Sequence, residues 1–177
     1  WRGAGAEAPQ DATSSREDQG QGEHTGTAFE IVGELGRSSR AIALDGQHLY
    51  FGVGRRLLVV DVSDPLRPRM VGGTPTLGGI VTDVDAASGR AFVAAGSAGG
   101  YAIDVADVTA PRVLGRWETP SVARGIHAAG GFVYVADEDG GLQVVDVHDP
   151  AAPHAVGSYD STGEAWGVSV EGDVACV

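Results

Sequence analysis

Three aspartates, Asp61, Asp104 and Asp146, recur at steps of 43 and 42 residues, each preceded by Val or Ile and followed by Val. Carboxylates repeated at fixed intervals are raw material for acid–base chemistry or for binding hard cations. Each of these, however, closes an apolar run just before a turn, where a carboxylate ties down nearby backbone N–H groups, and the sequence assigns them that structural role. The stretch Asp137-Glu138-Asp139-Gly140 resembles the opening of a calcium loop. The corresponding Gly54-Arg55-Arg56 and Gly96-Ser97-Ala98 carry no acid, and the glutamate that ends an EF-hand loop is missing, so a plain hairpin tip is expected. His24, His48, His127, His148 and His154 show neither HExxH nor CxxC spacing, which leaves no zinc signature. Ser121 and Ser161 fall in inter-strand loops with no GxSxG elbow. The single cysteine, Cys176, ends an apolar strand and is expected to be a buried, inert thiol. No catalytic residue, metal or cofactor is assigned.

Composition sets the outer limits. The 177 residues are 42% hydrophobic, enough for a core, and carry a net charge of −12, with every basic residue an arginine. Nucleic-acid binding depends on a basic stripe that releases counterions, so a nucleic-acid partner is not expected. The longest aliphatic run, Leu57 to Val60, is far below the roughly 20 apolar residues of a membrane span. Residues 1–28 contain no Val, Ile, Leu, Met, Phe or Tyr and read as a disordered Gly/Ala/acidic leader or linker.

What positions the side chains is a repeat that begins after this leader. Ile42, Val84, Ile126 and Val168 fall 42 residues apart, as do Gly46, Ser88, Gly130 and Gly172, and one extra residue enters at the Gly96 to Gly100 turn. Within one repeat, turn residues cut four strands: Arg40 to Leu44, His48 to Val53, Leu57 to Val62 and Arg69 to Thr74. Asp45-Gly46 suits a tight hairpin, and Asp64-Pro65 and Asp149-Pro150 suit turns. The third strand, Leu57-Leu58-Val59-Val60, is apolar on both sides and needs cover on both faces. Four-stranded units stacked face to face supply it. The fold class is therefore all-β, a β-propeller of antiparallel blades at 40–81, 82–123, 124–165 and, in part, 166–177, with the four 42-spaced markers equivalent and buried. Phe29 to Leu35 reads as a lone fourth strand, and about three full blades make an open arc.

Two segments, LLVVDVSDPLRP at 57–68 and LQVVDVHDPAAP at 142–153, resemble the LVIVD-repeat motif, with a weaker copy, YAIDVADVTAP, at 101–111. The resemblance covers about 29–177 and implies a β-propeller, commonly in exported or cell-surface proteins; it implies no catalytic residue.

One register varies in chemistry from blade to blade. Arg40, Thr82, Arg124 and Trp166 each stand two residues before the strand marker, where loops enter the inner strand, and are expected to form a ligand-binding rim at one end of the array. The function expected is a non-catalytic scaffold presenting a face or channel mouth to a protein or glycan, exported or at the cell surface. The alternative is a propeller enzyme of lactonase, glycosidase or quinoprotein type. It would need catalytic groups converging from several blades, and only Asp83 and Arg124 stand near the right register.

Overall fold

The computed structural model describes residues 41–177. No helix occurs among them, and hence none long and apolar enough to cross a membrane. Blade 1 is built from β1 (Ile42–Asp45), β2 (His48–Val53), β3 (Arg56–Asp61) and β4 (Arg69–Gly73). Blade 2 follows with β5 (Asp83–Ala87), β6 (Arg90–Ala94), β7 (Gly100–Asp104) and β8 (Arg112–Trp117). Blade 3 comprises β9 (Gly125–Ala129), β10 (Phe132–Ala136), β11 (Leu142–Asp146) and β12 (His154–Tyr159), and a hairpin of β13 (Ser169–Glu171) and β14 (Val174–Cys176) starts the next unit. Each blade is an antiparallel sheet in sequence order. The first strands lie side by side, β1 against β5, β5 against β9 and β9 against β13, so the blades fan from their inner edges into an arc that does not close.

Residue types explain the local geometry. The first hairpin turn of blade 2 is Ser88-Gly89, with φ of 54° and 75°, and that of blade 3 is Gly130-Gly131. In blade 1 the turn residues are Gly46 and Gln47, one position later than Asp45-Gly46, because Asp45 still pairs with His48. After the third strand, two aspartates act in tandem. Asp61 accepts from the Ser63 amide and Asp64 from Leu66; Asp104 accepts from Ala106 and Asp107 from Thr109; Asp146 accepts from His148 and Asp149 from Ala151, all within 2.8–3.0 Å. The Ser63 hydroxyl and amide hold the carboxyl of Asp61 below the usual carboxylate range, the Thr109 hydroxyl and amide that of Asp107, and the His148 amide and ring that of Asp146. The recurrent aspartates are turn formers, as their places in the sequence imply.

Packing between blades makes the core. Tyr50, Leu57 and Val59 of blade 1 meet Val84, Ala91, Val93 and Ile103 of blade 2. Phe92, Ala102 and Trp117 on the other face of blade 2 meet Ile126, Val133, Val135 and Val145 of blade 3. Strand β6 thus buries Ala91 and Val93 on one side and Phe92 and Ala94 on the other. Fully burying one such Val, Leu or Phe contributes about 1.5–3 kcal/mol. The marker register is only partly buried, contrary to expectation. Val84 and Ile126 are 4% and 5% exposed, but Ile42 is 62% exposed and Val168 half-buried. For Ile42 the reason is directional: Val84 and Ile126 pack back onto the preceding blade, and Ile42 has none among the described residues. Cys176 is likewise exposed, not buried, because β14 has no third strand beside it among the described residues.

Two backbone devices join blade to blade. At one end, the turn between the second and third strands accepts from the segment entering the next blade: Val81 N to Gly54 O at 2.8 Å, Ala123 N to Gly96 O at 3.1 Å, Ala165 N to Glu138 O at 2.9 Å. At the outer edge, a glycine of the fourth strand receives the Asp turn of the next blade. A Cβ on Gly72 would lie 2.0 Å from Val108 O, and one on Gly115 would lie 2.4 Å from Pro150 O. Gly157, in the same register of blade 3, has its nearest neighbour atom at 3.8 Å. Gly115→Ala should therefore destabilise the chain by about 1–3 kcal/mol through overpacking against backbone, while Gly157→Ala should change stability by less than about 0.5 kcal/mol. Urea melts of the two variants measure the contrast, and equal effects would show that the outer contact does not carry weight.

Candidate functional site

The loops that enter the inner strands gather at the end of the array that holds the turn-to-entry clasps. Arg40 lies outside the described residues. Thr82 Oγ1 donates to the Ala123 carbonyl at 2.7 Å, so its hydroxyl ties blade 2 to the residue beside Arg124. Arg124 Nη2 meets Glu138 Oε1 at 2.7 Å, with the arginine side chain 30% and the glutamate 17% exposed. The guanidinium also lies over the indole of Trp166, 4.7 Å from the ring centroid. Trp166 Nε1 donates to Glu164 Oε2 at 3.1 Å, and the residue is 55% exposed. Thr82, Arg124 and Trp166 thus form one line of contacts running from blade to blade, with the indole as its exposed end.

Two members of this site are missed by sequence reasoning, which treats the acidic turn as a hairpin tip. Glu138, at φ 43°, forms both the backbone clasp to Ala165 and the ion pair to Arg124. Asp137 is fully buried and accepts from the Ser121 amide at 2.9 Å. Burial pushes its carboxyl up, against the Thr119 hydroxyl and Ser121 amide that favour the charged form, and the Glu138 charge adds to the rise. Only Asp139 of this turn is exposed. The signal was that Arg124 and Glu138 share a blade, 14 residues apart, one entering its first strand and one leaving its second.

On the inner strands, Asp83 accepts from Ile126 N through Oδ2 at 2.9 Å and from Val84 N through Oδ1 at 2.9 Å. Asp85 Oδ2 accepts from Ala128 N at 2.8 Å. Both carboxylates therefore cap backbone amides of β9 across the blade boundary. Burial raises the Asp83 pKa, the two amide bonds oppose the rise, and the Asp85 charge adds to it. Asp83 is a joint between blades. Among the described residues no cluster of three His, Cys, Asp or Glu is arranged to hold a metal ion.

The fold and these joints define a class: an all-β repeat scaffold of four-stranded, propeller-like blades in an open arc. The family model described as LVIVD repeat matches the chain twice, at residues 36–76 and 121–161, in keeping with the resemblance seen in the motif. Blade 2 falls between the matched segments, yet Asp107 forms the same turn there although Val108 replaces the proline. Among solved structures, the computationally designed Ika4 protein aligns with a TM-score of 0.69 at 12% identity, over 85% of this chain and 90% of that one. The computationally designed Ika8 protein aligns with a TM-score of 0.65 at 12% identity, over 78% of this chain and 42% of its own length. At such identity the likeness concerns fold alone. No curated protein matches the sequence.

Two outcomes follow from this electrostatic layout. Arg124→Leu removes the partner of a mostly buried glutamate and the cation over Trp166, and should cost about 1–3 kcal/mol, measured by urea unfolding. The pH dependence has two limbs. Asp83 and Asp137 have raised pKa values, so as pH falls from neutrality toward the usual carboxylate range the folded state takes up their protons first and gains stability. Asp61, Asp107 and Asp146 have lowered values, so the stability they supply is complete above the ordinary aspartate pKa of about 3.9 and is lost as pH falls through their folded values. Denaturation midpoints at pH 7, 5 and 3 should show no loss from 7 to 5 attributable to these groups and a fall at 3; comparison with Asp83→Asn separates the first limb.

Proposed function

We propose that this chain is a non-catalytic binding scaffold that presents the rim around Trp166 to a protein or glycan partner at the cell exterior. The observation that carries the reading is the exposed indole held in place from two sides, by the Arg124 guanidinium on its face and by Glu164 at its N–H. A large flat ring that is already fixed loses little conformational entropy when a partner covers it, which is how rigid aromatic anchors serve recognition. The ring has acidic neighbours in Glu138 and Glu164, and the net charge is −12, both unfavourable to phosphate-rich polymers. Thr82 serves the rim from beneath, since its hydroxyl is engaged with Ala123. Placement at the cell exterior rests on the Gly/Ala/acidic opening segment and on where proteins with this repeat are commonly found.

The test is a glycan array and a panel of purified candidate surface proteins probed with the chain and with Trp166→Ala. A ligand of this rim should lose about tenfold or more in affinity with the variant, which is about 1.4 kcal/mol. A ligand bound equally by both proteins would place recognition elsewhere and overturn the reading.

A further inference from the structure

At the end opposite the rim, a cleft of about 370 Å³ opens between blades 2 and 3. That size falls within the range of about 300–1,000 Å³ common for small-molecule sites. Phe92, Phe132 and Val147 give it apolar walls. His148 stands over the backbone of Gly131, where a Cβ would lie 2.4 Å from its Nε2, and it meets Phe132 edge-on with ring centroids 5.2 Å apart. Asp146 Oδ1 holds the imidazole at Nδ1, 2.9 Å away, and also accepts from the His148 amide, so the ring is oriented by its own turn.

Arg90 also lines this cleft, and its guanidinium forms no hydrogen bond or ion pair with any described residue. Its cross-strand neighbour is Asp104, whose Oδ1 is occupied by the Ala106 amide at 3.0 Å. The combination occurs only once in the described blades. In the register of Arg90, blade 1 has His48 and blade 3 has Phe132; in the register of His148, blade 2 has Ala106. Among the described residues, only at the boundary of blades 2 and 3 do an arginine without a side-chain partner and aromatic residues line one cleft.

We infer that this cleft binds a small carboxylate with an aromatic or apolar body. The guanidinium of Arg90 takes the carboxylate through its fork of N–H donors, and Phe92, Phe132 and Val147 cover the body. In a chain of net charge −12, an anion is drawn to a local unpaired cation and not to the surface at large, and the apolar walls favour an anion that carries hydrocarbon over inorganic phosphate or acetate. The site is independent of the rim, from which it is separated by the length of the inner strands.

The experiment is a titration of the 177-residue chain with benzoate, followed by the ring resonances of His148 and Phe132 and by calorimetry. Saturable shifts of both rings are expected. Benzamide, which keeps the shape and lacks the charge, should bind about tenfold or more weakly, and Arg90→Gln should weaken benzoate by a similar factor, whereas Arg116→Gln, an exposed arginine on β8, should leave it unchanged. The absence of saturable shifts, equal binding of benzoate and benzamide, or unaltered benzoate binding by Arg90→Gln would each overturn the proposal. The comparison of benzoate with benzamide needs no variant and stands even if Arg90→Gln fails to fold.

Discussion

A four-stranded sheet with apolar residues on both faces cannot stand alone in water, and everything else in this molecule follows from that constraint. Strand β6 shows it most plainly, with successive residues buried alternately against the blade before and the blade after. Each blade completes the core of its neighbours, so stability is a property of the boundaries and grows with the number of blades stacked. The same condition explains why a side chain in one register can be buried in blade 2 and bare in blade 1.

Hydrophobic contact is non-directional and would let blades slide, so the array needs fixed points. The structure supplies them as hydrogen bonds at the turn-to-entry clasps, as close approach at the outer glycines, and as the carboxylates of Asp83 and Asp85 on the amides of β9. Inner strands present unpaired amides at their edges, and a buried amide without a partner costs about 1–3 kcal/mol. An aspartate from the preceding blade satisfies two partners at once, one in its own strand and one across the boundary.

The fold was legible in the sequence because its period repeats and because each turn is written in local chemistry. The tandem aspartates bond residues two positions away, an interaction that a reader of the chain can infer from neighbours alone. The hairpin glycines act in the same local manner. The site was legible only as a register that varies. That Arg124 would reach both Glu138 and the indole of Trp166, 42 residues on, depends on how one blade leans on the next. Burial of Asp137, exposure of Ile42 and the meeting of Phe132 with His148 have the same origin, since each is decided by a neighbouring strand or blade and not by the residues beside it in sequence.

The joints are chemically unequal, although the blades are alike in outline. Between blades 2 and 3, Thr82, Asp83 and Asp85 reach across; in blade 1 the positions of the two aspartates are Ala41 and Ala43, and the side-chain bonds toward blade 2 include those of Arg55 to the carbonyls of Leu77 and Gly78. Each boundary thus carries its own address. Exchanging blades 1 and 2 would carry Arg55, Asp83 and Asp85 to other boundaries, so which side chains join which pair of blades depends on the order of the repeats.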